Sequence, residues 1–267
     1  MCHYLKLFRL DVCIIAFASY LIGVRLVTSV SVLDCLIALA VSIVSTNFIY
    51  SFNAWANWQI DAINKPQRPI PSGLLSPRAA FKYSMVLLFL SVLYPFFVAN
   101  SGWTLCLFML LPALGLMYSA KHVSLRRYHV ASVIIISIGL IIPIQLGYYM
   151  HCIDFRDMPF FFILFVFCLS IVPLKDIEDI HGDIRFGIQN LFHTFGRRLL
   201  IISIVGFLID AVLLIFMPIR LLLKAYALIL ILSSALMIVI FWQRPRRIYT
   251  AIIWIVIAEG FFLFAFL

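Results

Sequence analysis

"NAWANWQIDAINKPQRPIPSG", residues 53–73, gathers three Asn, an Asp, a Lys, an Arg and three Pro in a chain that is otherwise largely apolar. Around it, 65% of the 267 residues are hydrophobic and only 12% are charged, with a mean hydropathy of +1.13. Such a composition lies far outside the soluble range. Apolar runs of about 18 or more residues read as bilayer-crossing helices, because roughly 20 helical residues match the hydrocarbon thickness. Nine runs qualify, at about 8–28, 32–52, 79–98, 102–119, 130–150, 158–174, 199–219, 221–243 and 248–267. The two-residue alternation of a barrel is absent, so the expected class is all-α, a polytopic membrane protein of nine spans. The first run is too long, and lacks the small-residue site, for a cleavable signal peptide. No linker or soluble insert interrupts the pattern, so a single membrane domain over 1–267 is expected.

Basic residues favour the cytoplasmic side of short loops. With the N-terminus inside, sixteen fall on that face: Lys6, Arg9, Lys65, Arg68, Arg78, Lys82, Lys121, Arg126, Arg127, Lys175, Arg185, Arg197, Arg198, Arg244, Arg246 and Arg247. Only Arg25, Arg156, Arg220 and Lys224 fall opposite. The net charge of +9 therefore describes a cytoplasmic membrane face and gives no reason to expect nucleic acid. Cys2, Cys13, Cys35, Cys106, Cys152 and Cys168 are scattered without a CxxC pair, which suits packing better than a disulfide framework or a metal site.

The segment 53–73 has one counterpart, "KDIEDIHGDIRFGIQNLFHTFGRR" at 175–198, and both fall on the predicted cytoplasmic side. Each reads as a helix continuing out of a span. Asn53, Asn57 and Asp61 then share one face at i, i+4, i+8, and Asp176, Asp179 and Asp183 share another at i, i+3, i+7. Lys175 and Asp179 are placed to pair at i, i+4. Asn57 and Asp179 stand 122 positions apart, as do Asp61 and Asp183, and two such helix ends would face one another in a bundle with two similar halves.

Carboxylates crowded at a bilayer edge repel one another and are costly to desolvate. A divalent cation removes that conflict, and Mg2+ prefers one or two carboxylates together with phosphate oxygens and water. Lys65, Arg68, Arg126 and Arg127 would hold phosphate oxygens not bound to metal. The competing reading is a solvated, charged loop whose carboxylates pair with neighbouring Lys and Arg.

These residues resemble the UbiA-type intramembrane prenyltransferases over essentially the whole chain. That family's first motif, N-x-x-x-D-x-x-x-D followed by N-K-P-x-R-P-I-P-S-G, is matched by Asn53, Asp61, Asn64, Lys65, Pro66, Arg68, Pro69, Ile70, Pro71, Ser72 and Gly73. Its second, D-x-x-x-D followed by G-I, is matched by Asp179, Asp183, Gly187 and Ile188. "KDIEDIHGD" is similar to the form seen in the branch that prenylates homogentisate and related aromatics. Tyr118 with Ser119, then Lys121, Arg126 and Arg127, is similar to the family's Tyr/basic segment after the fourth span.

The resemblance implies nine transmembrane helices around a central cavity, with Mg2+ as cofactor. It implies transfer of a prenyl group from an allylic prenyl diphosphate to a hydrophobic aromatic or lipid acceptor within the membrane. Catalytic roles are implied for Asp61, Asp179 and Asp183. Substrate contacts are implied for Asn53, Asn57, Lys65, Arg68, Tyr118, Lys121, Arg126, Arg127 and Lys175. Metal ligation is implied for Asn53, Asn57, Asp61, Asp176, Asp179 and Asp183.

Two positions depart from the family pattern: Asn57 stands where the central Asp is usual, and Ala54 where an added Asp is common. Some UbiA-type proteins with a neutral residue at the central position are terpene cyclases, so cyclisation without an external acceptor is the alternative. A secondary transporter is a third reading, but its site belongs near the bilayer midplane, whereas both clusters lie at one interface. Asp210 and Glu259 fall inside spans, where ionisable groups are functional candidates by default. His181 reads as a polar loop residue. With 25 Phe and 11 Tyr in the chain, no single aromatic is assigned to a carbocation.

Overall fold

The computed structural model describes Tyr4 and residues 7–267, so Cys2 and Lys6 lie outside the described residues. Among these residues there is no strand. Nine long helices follow in chain order: α1 (Leu10–Arg25), α2 (Val32–Ala40 through Asn47–Ala56), α3 (Pro77–Leu93), α4 (Gly102–Ser119) and α5 (His129–Tyr149), then α6 (Met158–Ile171), α7 (Arg198–Phe216), α8 (Leu221–Ile240) and α9 (Ile248–Phe266). Local sequence sets several of the starts. Ser31 and Asp34 form a capping box on α2, Ser101 and Thr104 another on α4, and Ser76 caps α3 with Pro77 in the first turn.

Among the described residues eight helices are long and apolar enough to cross a membrane, one fewer than expected from the sequence. The exception is α1. Its 16 residues rise about 24 Å at 1.5 Å per residue, short of the roughly 30 Å hydrocarbon core. Arg9 and Asp11 bound it on one side, and on the other the chain leaves the helix after Arg25 to reach the Ser31 cap. No residue from Asp11 to Arg25 is exposed, so the short helix is enclosed by its neighbours.

Each helix packs on the next in sequence, and α9 returns to pack on α1, closing a ring. Further contacts cross it, the most extensive being α1 on α5 and α2 on α4. The α1–α5 crossing is tight because glycines face backbone. A Cβ on Gly23 would run into the carbonyl oxygen of Ile144, and one on Gly147 into that of Tyr20. Large apolar side chains on the outside, including Phe89, Phe97, Leu208, Phe216 and Val239, are exposed, as expected of a surface solvated by lipid.

Gly147→Ala should separate α1 from α5 and cost about 1–3 kcal/mol, the usual penalty of overpacking. Gly139→Ala, on the same helix but with nothing within 4 Å of the new methyl, should be neutral. Thermal unfolding in detergent checks the pair; equal melting temperatures for both variants would show that the crossing is not tight.

Candidate active site

α2 includes a π-helical turn at Val41–Thr46 and runs on to Ala56, four residues past the expected end of the apolar run. It breaks at Asn57 (φ −117°, ψ 19°) and restarts as the short helix Trp58–Asn64. Asn57 turns back on its own helix, its Nδ2 donating to the Asn53 carbonyl at 3.0 Å, and is buried. Asn53, Asn57 and Asp61 therefore lie on two helical pieces, not along one continuous face. Asn53 is held by Ser119 of α4, whose hydroxyl accepts from its Nδ2 at 3.0 Å.

The Pro-rich continuation folds into a packed loop. Ser72 N donates to Arg68 O, Gly73 takes φ +77°, and Leu75 N returns to Pro69 O. Ile70 and Leu75 form a small core with Leu7 and Ala80. So anchored, the loop turns Arg68 back onto Asp61, Nη1 to Oδ2 at 2.6 Å.

In the second segment α6 tightens at Pro173 into a 3-10 helix, Val172–Ile177, before the short helix Ile180–Arg185. The tightened turn changes the expected pairing. Lys175 bonds its neighbour Asp176, Nζ to Oδ1 at 2.6 Å, instead of Asp179. Asp179 is taken by Lys65 of the other segment, at 2.7 Å, with Glu178 4.0 Å from the same amine.

The two segments dock through Asn64. Its Nδ2 donates to Asp179 O at 2.9 Å, and its Oδ1 accepts from Gly182 N at 2.6 Å. Gly182 must lack a side chain here, because a Cβ would meet three Asn64 atoms at 2.5–2.8 Å. Asn190, which the sequence reading did not single out, joins the rest. It donates to Asp176 O (2.8 Å) and Asp183 Oδ2 (3.1 Å) and accepts from His193 N. No spacing rule points to Asn190.

The result is four acid–base pairs: Asp61–Arg68, Asp179–Lys65, Asp183–Arg126 (2.9 Å) and Asp176–Lys175. Beside them opens a cavity of about 500 Å³. Asn53, Asp61, Lys65, Arg68, Tyr118, Arg126, Lys175, Glu178 and Asp179 line its polar part, and Leu111, Leu114, Ile135, Ile136, Leu140 and Pro143 its apolar part. Asn57, Asp176 and Asp183 lie outside that lining, as do Lys121 and Arg127, which are exposed. Of the candidate metal ligands, the cavity thus brings together Asn53, Asp61 and Asp179. Among the described residues no three His, Cys, Asp or Glu converge as a metal cluster. Asp61 and Asp179, the two candidate carboxylates in a lining that also presents cationic groups, fit Mg2+ bound together with a phosphate ligand, because that ion uses one or two carboxylates and leaves its other positions to phosphate and water.

Burial works against the charge of the Arg126 guanidinium, but Tyr118, Asp183, Asp179 and Asp61 around it outweigh that and hold its pKa above the ordinary range. Burial tends to raise the Asp179 carboxyl too, yet Lys65, Arg126 and Lys175 keep it below the usual carboxylate range. At Asp183 burial prevails over Arg126 and Asn190, and the nearby Asp179 and Asp176 add to it, so this carboxyl is raised. Asp183 therefore takes up a proton before Asp179 as pH falls. His181 is exposed. Asp210 is fully buried with neither oxygen hydrogen-bonded among the described residues, and Glu259 accepts from Ser233 at 2.7 Å. Neither lines the cavity.

A profile of the UbiA prenyltransferase family matches residues 12–266. The chain belongs to that family. Among its relatives, the probable homogentisate phytyltransferase 2, chloroplastic, of Oryza sativa subsp. japonica is 31% identical over 166 residues, covering 58% of this chain and 43% of that protein. Digeranylgeranylglyceryl phosphate synthase of Pyrococcus horikoshii is 27% identical over 162 residues, covering 59% and 56%. The matches thus span about half the length of these curated relatives. The fold is that of a UbiA homolog from Archaeoglobus fulgidus, solved bound to GPP and Mg2+. The TM-score is 0.79 at 20% identity, with 98% of this chain and 99% of that one covered. Against the UbiA motif, the neutral Asn57 of this chain is the residue that folds away from the cavity, while Asp61 faces it.

Asn64→Ala removes both bonds of the dock. With a typical net loss of about 0.5–1.5 kcal/mol for each hydrogen bond, amide exchange in Trp58–Asn64 and Ile180–Arg185 should rise roughly 5- to 150-fold. Hydrogen-exchange mass spectrometry checks this, and unchanged protection in both helices would show that they hold together by other contacts.

Proposed function

We propose that this UbiA family member transfers a prenyl group from an allylic prenyl diphosphate to an aromatic or lipid acceptor within the membrane, with Mg2+ as cofactor. The observation that carries this reading is one cavity walled by ion-paired Asp61, Asp179, Lys65, Arg68, Arg126 and Lys175 on one part and by aliphatic side chains on another. It suits a ligand with an anionic head and an isoprenoid tail. The charge distribution further supports placing the N-terminus and both Asp-rich segments on the cytoplasmic side.

Lys65 and Arg68 each hold a carboxylate of the cavity wall, and both bases would be free to hold phosphate oxygens if those carboxylates took a metal. Asp61 and Asp179, with Asn53 as a neutral oxygen donor, would hold Mg2+, which when bound would supply Lewis-acid neutralisation of the diphosphate. Arg126, kept charged and buried by Asp183, meets the negative charge that grows on the leaving oxygen. Lys175, steadied by Asp176, does the same from the wall of α6. Fixed cations in a site of low dielectric stabilise developing charge without reorganising. Asp183 and Asp176 on this reading are positioning residues that aim a base into the cavity.

Cyclisation without an acceptor is favoured by one observation, the neutral Asn57 bonded to its own helix. Asn57→Asp separates the readings. For a transferase the product should be unchanged and the Mg2+ requirement tighter. A wild-type protein that turns prenyl diphosphate into a cyclic hydrocarbon with no acceptor present would overturn transfer.

Removal of divalent metal with EDTA should abolish turnover. Asp61→Ala, Asp179→Ala and Asp183→Ala should each lower kcat about 100-fold or more while leaving the fold intact. Full activity in EDTA, or wild-type rates in any two of the three, would refute the metal–diphosphate site. Arg68→Ala should weaken prenyl diphosphate binding by about 1.5–3 kcal/mol, the range for hydrogen bonds to charged groups. A change confined to the acceptor KM would place Arg68 elsewhere.

A further inference from the structure

The cavity has a fifth ion pair that the diphosphate chemistry does not use. Arg9 and Asp11, at the start of α1, both line it. They pair through two hydrogen bonds, Nε to Oδ1 at 3.0 Å and Nη2 to Oδ2 at 2.8 Å. The Arg9 guanidinium lies over the Tyr50 ring, 5.3 Å from its centroid. Tyr50 stands one turn before Asn53 on α2, and Tyr249 and Thr250 of α9 line the same cavity. Beyond Asp11, the α1 residues Val12, Ile15 and Ala16 extend the apolar wall.

We propose that Arg9 and Asp11 bind the acceptor, that the acceptor group they recognise is a hydroxyl, and that Asp11 takes its proton during transfer; this rests on the prenyl-transfer reading above. Two features select that chemistry. Each Asp11 oxygen keeps a lone pair after accepting from Arg9, and these accept an O–H. The guanidinium fixes the carboxylate in one orientation, as a general base requires. The tyrosine face beneath Arg9 keeps the cation seated without consuming its donors.

The step balances. The bond between C1 of the prenyl group and the diphosphate oxygen breaks, and its electron pair leaves on the diphosphate. A lone pair of the acceptor oxygen forms the new bond to C1, and the hydroxyl proton passes to Asp11. With a phenol, the pair comes from the ring carbon ortho to the hydroxyl. Asp11 again takes the hydroxyl proton, and the resulting dienone rearomatises by moving the ring proton to oxygen.

The test uses the whole protein in nanodiscs with geranyl diphosphate and two hydroxyl probes, a monoalkylglycerol and hydroquinone, which separate a lipid from an aromatic source. Loss of the general base in Asp11→Asn should lower kcat for the accepted probe about 100-fold or more. The KM for geranyl diphosphate should stay within about twofold of wild type, since the diphosphate is held by other residues. Asp11→Glu, which keeps the carboxylate, should recover at least about tenfold of the loss; equal defects in the two variants would point to a structural role and overturn the proposal. A raised KM for geranyl diphosphate would move the pair to the diphosphate site and overturn it too. Oxygen-18 scrambling within geranyl diphosphate reports ionisation by the wild type without an acceptor. Scrambling with neither probe prenylated would sink the hydroxyl assignment alone, whereas no scrambling and no transfer would sink the underlying reading with it.

Discussion

Opposite charges held together at the edge of an apolar cavity are the constraint on which the rest of this structure depends. Four carboxylates near a bilayer are tolerable only if each is neutralised, and each here has one base of its own. A buried ion pair contributes little net stability, because desolvation offsets most of the attraction. Its worth lies in readiness: the charges are already desolvated and aimed before any ligand arrives. On the proposed reading, exchanging one carboxylate–cation pair for a carboxylate–metal and a cation–phosphate pair would keep every charge matched.

That arrangement is assembled across segments. Lys65 reaches Asp179, Arg126 reaches Asp183, and Asn64 bonds the backbone of Asp179 and of Gly182. The polar ends of α2 and α6 and the connection after α4 are thus tied into one unit. The ring of helices beneath gives that unit a fixed base, with the glycine-lined crossing of α1 and α5 bringing two backbones together where side chains would hold them apart.

The helical class and nearly every span were legible in the sequence, because hydrophobic length alone dictates them. α1 departed, since an apolar run extends past the residues that can keep helical geometry between a charged pair and the next cap. All eight charged members of the four pairs were also legible as candidates, but not their partners. Spacing rules see only neighbours on one continuous helix, and both segments break it, at Asn57 and at Pro173. Lys175 therefore takes an adjacent residue, and Asp179 one more than a hundred positions away. Asn190 and Asp11 escaped for a different reason. A single polar residue carries no periodic signal, and its importance comes only from what the fold brings beside it.

Closure of the ring by α9 against α1 has a consequence for how the chain is made. Seven helices lie between those two in the chain, so their contact can form only after all of these have been made. α1 need not wait unpartnered, because α5 offers it a docking face midway through synthesis. Between those two moments the wall containing Arg9 and Asp11 lacks Tyr249 and Thr250 opposite. The nascent bundle then exposes a charged seam to acyl chains, and insertion of α9 is the event that shields it.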